Sequence, residues 1–135
     1  EVLRFVGDAA LAIFPIVTSS ADACQAALKA ATDADDRIAA LNASRQSTGD
    51  APLNYGVGLH LGDVMYGNIG SPERIEFTVI GAAANLAARI EGQCKVLDTR
   101  VLISSAFAHQ NGGELKSLGS HTLDGIEEPQ ELFTL

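Results

Sequence analysis

Apolar residues fill positions 2–6 and 9–14, split only by Gly7-Asp8, and that pattern predicts a tight hairpin closed by Pro15. Ser19-Ser20-Ala21-Asp22 reads as a helix start with an acid in the first turn. Cys24, Ala27, Leu28, Ala31, Ala34, Ile38 and Leu41 then recur at helical spacing, with Asp33, Asp35, Asp36 and Arg37 mostly on the other side. An amphipathic helix of about six turns is expected, its charge a solvated face. Residues 45–52 form a polar loop.

The stretch from Leu53 to Ser71 predicts a second strand pair. Leu53, Tyr55, Val57, Leu59 and Leu61 alternate with Asn54, Gly56, Gly58, His60 and Gly62. Glycines in a strand pack nothing and gain backbone entropy on unfolding. Gly56, Gly58 and Gly62 together therefore point to close approach of another backbone, a ligand or a partner chain, whereas Gly67 and Gly70 fit local bulges and turns. His60 has no ligand partner at useful spacing and reads as structural. A turn at 71–74 leads to a strand over 75–80, Gly81 breaks it, and a helix follows from Ala82. Val101–Ile103 is a short strand, and the tail carries two more around Asp124-Gly125 and Glu128-Pro129. Strands mixed with two long helices give an α+β fold, its helices packed on one sheet face.

With 135 residues the chain is long enough for one domain with a core. A hydrophobic fraction of 47% against 19% charged residues excludes a disordered class. No apolar run approaches the roughly 20 residues of a membrane span, and no contact with a membrane is expected. Cys24 and Cys94 lack a CxxC pattern, which argues for a reduced cytoplasmic setting rather than a disulfide or zinc scaffold. A net charge of −8 with scattered basic residues argues against nucleic acid as partner. A nucleotide held through metal ions remains compatible with that charge, because acids hold the metal and the metal holds the phosphates.

Two features carry candidate chemistry. Asp8 caps the first hairpin, where an acid is either an ordinary solvated turn residue or a ligand on a rigid pedestal. Asn85 and Arg89 are four apart on the second helix and project from one face, about 6 Å apart at their roots. Asn is a poor helix former, so its place inside the first turns asks for a reason.

Taken together, RFVGDAALAIFP, YGVGLHLGDVMYGNIGS and FTVIGAAANLAARIE, in that order and spacing, resemble the class III nucleotidyl cyclase catalytic domain. The tail LGSHTLDG with EPQELFTL looks like that family's C-terminal end. The likeness is greatest to the bacterial and soluble adenylyl cyclase branch that carries Thr where other adenylyl cyclases carry Asp. It implies a ferredoxin-like α+β domain over residues 1–135 that makes cyclic AMP from ATP.

By the same resemblance Asp8 matches the second of two metal-binding carboxylates for two Mg²⁺ or Mn²⁺ ions, and Asn85 and Arg89 match the pair that orients the ribose and stabilises the α-phosphate. Arg4 and Thr78 match the positions that read the base. A cation at Arg4 donates to the adenine N1 acceptor and Thr78 accepts from the adenine amino group, so both favour ATP over GTP. Arg4 departs from the usual Lys. Asp124 stands where the family carries a Lys or Arg for the terminal phosphates, and an acid there repels triphosphate. The resemblance also implies a homodimer with sites shared between chains. The alternative is a catalytically silent module that binds nucleotide or dimerises and passes a signal.

The family's first metal-binding Asp sits on a strand before this hairpin, and that strand is expected upstream of Glu1, in a longer protein. These 135 residues alone, mixed with Mn²⁺ and ATP, should therefore form little or no cyclic AMP. Turnover of about 1 per second or more would show the metal assignment to be wrong.

Overall fold

The computed structural model describes the backbone of residues 2–6, 8–69 and 76–135, and the side chains of residues 8–65 and 81–135. Gly7, Gly70 and the turn expected at 71–74 lie outside the described residues. The first hairpin forms as its pattern requires. β1 (Val2–Val6) runs antiparallel to β2 (Ala9–Ala12), and Val6 faces Ala9, so two residues make the turn. β2 ends before the expected Phe14, because Phe14 leaves the ladder to pack on the core formed with the first helix.

Helix α1 (Ser20–Ser47) begins where the cap signal lies, with Ser19 Oγ accepting from the Asp22 amide at 3.1 Å. It runs 28 residues, into the stretch expected as loop. The loop folds back onto its last turns: Leu53 N–H donates to Asn42 Oδ1 at 2.7 Å, Asn42 Nδ2 donates to Leu53 O, and Arg45 donates to Ala51 O. Those bonds hold the backbone around Leu53 out of a strand. β3 is accordingly only Val57–Leu59.

The expected second strand pair does not form within Leu53–Ser71. β3 pairs in parallel with β6 (Val101–Ser104), while β4 (Met65–Ile69) pairs antiparallel with β5 (Glu76–Ile80). Helix α2 (Ala82–Val96) connects β5 to β6. A third helix, α3 (Ser105–Asn111), was not expected; Ser104 Oγ caps it and Gly112, at φ +74, ends it. β7 (Lys116–His121) and β8 (Gln130–Thr134) complete a four-stranded sheet in the order β3-β6-β8-β7.

The α+β class is as expected, but the helices are divided between the two faces of that sheet rather than gathered on one. Alternation along β6 shows why. Val101 and Ile103 pack with Cys24 and Ala27 of α1 and Phe107 of α3. Leu102, between them, packs with Ile90 and Cys94 of α2, and with Leu123 and Leu132. A strand apolar on both sides, buried throughout, needs a layer on each.

The glycine row explains how α2 takes its place. A Cβ on Gly58 would lie 2.6 Å from the Ala87 carbonyl oxygen and 2.7 Å from the Glu91 nitrogen. One on Gly56 would lie 2.7 Å from Cys94 Cβ, and one on Gly62 2.6 Å from Ala83 Cβ. The approaching backbone is thus the chain's own α2, which lies on β3 along its Ala83–Ala87–Cys94 edge. Gly58→Ala should lower unfolding free energy by about 1–3 kcal/mol, since helix backbone cannot give way as a side-chain tip does. Gly92→Ala, with nothing within 4 Å of the added methyl, should be neutral or stabilise by up to about 1 kcal/mol. Paired denaturant melts check both.

Candidate active site

α2 carries Asn85 and Arg89. With Ala83, Ala87, Ile90 and Cys94 turned to the sheet, the 3.6-residue period sends positions 85 and 89 to the opposite side, and both are exposed. The rotation is locked by the glycine row, which the Ala83 methyl, the Ala87 carbonyl, the Glu91 backbone and Cys94 approach directly. The helix start is bare: Gly81 gives it no side-chain cap and its first turn has no acid. Its first amides are available to an anion, and Arg89 adds a fixed positive charge one turn beyond Asn85.

Asp124 is tied to the same core. It sits in a turn closed by Ile126 N–H donating to Leu123 O at 3.1 Å, with Gly125 at φ +77. Leu123 is buried against Ile90 and Cys94 of α2, and Ile126 packs on the same cluster. The turn is therefore held in register with α2 while Asp124 itself is exposed.

Asp8 belongs to a different unit. It is exposed at the tip of the β1–β2 ribbon, and that ribbon's neighbour is β5. Asp8 directly precedes β2 in a ribbon of paired strands, and an exposed carboxylate with no partner among the described residues suits a hard cation such as Mg²⁺ or Mn²⁺. Among the described residues no group of three His, Cys, Asp or Glu gathers into a metal cluster, so Asp8 fits as one ligand of such an ion and not as a whole site. Arg4 lies on β1 opposite Leu11, and Thr78 on β5 opposite Gly67; their side chains lie outside the described residues.

Sequence spacing gave no sign of two polar links. His60 Nδ1 is 2.8 Å from Ser104 Oγ, which joins the end of β3 to the start of α3. Asp35 of α1 accepts from Tyr55 Oη and lies 3.2 Å from Arg100 Nε. Burial, then the bond to Asp35, pushes the Tyr55 phenol up to about 12, so it stays a donor at any working pH. An open groove of about 500 Å³ lined by Gln25, Lys29, Asp33 and Asn111 lies between α1 and α3, across the sheet from α2 and apart from the candidate residues.

The model of the adenylate and guanylate cyclase catalytic domain matches residues 2–134. The chain belongs to that family. Among its relatives are adenylate cyclase 1 of Rhizobium meliloti, 28% identical over 81% of this chain and 16% of the relative, and an adenylate cyclase of Anabaena cylindrica, 35% identical over 76% of this chain and 20% of the relative. The chain thus spans about a fifth of the length of such relatives. The solved guanylyl cyclase Cya2 superposes with a TM-score of 0.81 at 28% identity, covering 98% of this chain and 68% of that one. Relatives named adenylate cyclase and a structure named guanylyl cyclase both resemble the chain, so the likeness establishes the family, and the base is a matter for individual side chains. Among the described residues no helix is long and apolar enough to cross a membrane.

Asp124→Lys is the direct check on the phosphate position that the resemblance gives Asp124. In the protein that carries this cyclase domain it should lower KM for ATP or raise kcat by severalfold, with the melting temperature unchanged because the side chain is exposed. Unaltered kinetics would mean that another cation holds the terminal phosphates or that the turn with Asp124 does not reach them.

Proposed function

We propose that this domain is the catalytic part of an adenylyl cyclase that converts ATP to 3′,5′-cyclic AMP and pyrophosphate. The observation that carries this reading is the lock on α2: the glycine row fixes the helix so that Asn85 and Arg89 stand together and exposed, on the side away from the core. The bond formed joins the ribose 3′ oxygen to the α-phosphorus, the bond broken is that from the α-phosphorus to the pyrophosphate oxygen, and the hydroxyl proton leaves to water.

Arg89 meets the charge that grows on the α-phosphate, since its planar fork donates to two oxygens at once. Asn85 holds the ribose so that the 3′ oxygen faces the phosphorus. Loss of such a donor costs about a hundredfold or more in rate. Arg4 and Thr78 select adenine over guanine by donating to N1 and accepting from the amino group. Asp8 contributes one carboxylate toward divalent ions, which supply charge neutralisation to the phosphates and acidity to the hydroxyl.

Asp8 and the Asn85–Arg89 pair stand on different elements, the β1–β2 ribbon and the helix seated on β3 and β6. The family resemblance supports a single site for both across a two-fold dimer, with Asp8 from one chain and α2 from the other. The silent alternative rests on Asp124, whose exposed negative charge opposes a triphosphate, and on Arg4 in place of the usual Lys.

Complementation tests the shared site. Asp8→Ala and the double variant Asn85→Ala, Arg89→Ala should each be nearly inactive as homodimers of the protein that carries the domain. After mixing one to one with free exchange, half the dimers pair one variant with the other, and each such dimer holds one site with both intact halves. Cyclic AMP formation should return to about a quarter of wild type. A mixture that stays inactive while mass measurement confirms heterodimers would place both sets of residues within one subunit or outside catalysis.

A further inference from the structure

Positions 56, 58, 60 and 62 share the face of the β3 segment that α2 covers, and three of them are glycine. His60 is therefore the one side chain in the row. Its ring reaches both neighbours. Nδ1 lies 2.8 Å from Ser104 Oγ, and Nε2 lies 3.2 Å from where a Cβ on Gly62 would stand, a point itself 2.6 Å from the Ala83 methyl in the first turn of α2. That first turn has no side-chain cap; its Ala83 packs on Gly62 beside the His60 ring, and Asn85 follows Ala83 by two residues.

Ser104 fixes the ring further. Its Oγ accepts from Phe107 N–H at 3.2 Å and keeps its hydroxyl proton free for Nδ1. With that proton donated, the neutral ring carries its own on Nε2.

We propose that His60 is a positioning residue for the cyclase reaction: neutral and clamped by Ser104, it supports the first turn of α2 and so sets where Asn85 and Arg89 stand. This rests on the adenylyl cyclase reading for its effect on turnover, but the coupling of His60 to α2 does not.

Protonation should undo the support. Nδ1 becomes a donor, Ser104 Oγ must accept from both it and Phe107, and a cation lies beneath the positive end of a helix. Among the described residues, these charged or titratable groups lie around it. α2 presents Glu91, which lies over Gly56 and Gly58; β6 presents the uncharged Ser104; Asp63 follows Gly62 and His109 lies in the last turn of α3, both exposed. Burial holds the imidazole below its ordinary 6.5. The folded form thus prefers the neutral ring. Its contribution to stability is full above pH 6.5 and is lost as pH falls through that value toward the lower folded one.

The test combines an NMR titration with kinetics in the protein that carries this domain. The amides of Ala83, Ala84 and Asn85 should shift with the midpoint of the His60 ring, the Lys95 amide at the far end of α2 should not, and His60→Gln should abolish the shift. In cyclic AMP assays kcat should fall on the acid side with that same midpoint. His60→Gln, which still forms hydrogen bonds but does not titrate, should lose this acid limb and keep most of the neutral-pH kcat. His60→Ala should lose about tenfold or more in kcat with KM within about twofold. Amides that ignore the His60 titration would overturn the proposal whether or not the protein makes cyclic AMP, as would an unchanged acid limb in His60→Gln. If the amides follow His60 but no cyclic AMP is made, the coupling stands and the adenylyl cyclase reading fails.

Discussion

The closeness of α2 to β3 is the constraint on which the rest of the arrangement depends. A helix that meets a strand with its backbone oxygen and nitrogen 2.6–2.7 Å from the would-be Cβ position of Gly58 has no room for side chains between. The strand side must be glycine, and on the helix side Ala83, Ala87, Cys94 and the backbone of Glu91 come against it. The contact fixes the rotation of α2, and with it the direction of every other residue on the helix. The apolar cluster of Ile90, Leu102, Leu123 and Leu132 then closes on one flank, and the turn with Asp124 is pinned by Leu123 to the same body.

β6 is the shared wall. All four of its residues are buried, and its alternation feeds two cores at once: one under α1 and α3, one under α2. Ser104 at its end belongs to both layers, since its hydroxyl caps α3 and meets His60 beneath α2. A polar residue at 4% exposure is retained here because both of its hydrogen-bonding roles are filled. The same economy appears at the polar tie of Tyr55, Asp35 and Arg100, which holds α1 to the approach of β3.

Much of this was legible in the chain. The hairpin with Asp8 at its tip followed from two apolar runs and a two-residue step, and the cap at Ser19 from its side-chain chemistry. The pairing of Asn85 with Arg89 on one helical face followed from a spacing of four. Other features were not legible. Strand pairing joins Val57 to Val101, and no local pattern specifies a partner 44 residues away. The overrun of α1 to Ser47 depends on Asn42 and Arg45 finding carbonyls in a loop that the helix itself brings near. The short α3 was hidden because seven residues give too few turns for a periodic signal.

The sequence by itself determined that the glycine row had to meet something close, because three glycines on one strand face cost stability unless a close contact returns it. It also determined which residues are able to carry chemistry, since carboxylate, amide and guanidinium are fixed by residue type. Only the tertiary structure decided that the close neighbour is α2 of the same chain, that the helices divide between both sheet faces, and that His60 touches Ser104. Those are contacts between segments distant in the chain. They are set by which surfaces can be buried together, a property of the whole packing that no short window of sequence contains.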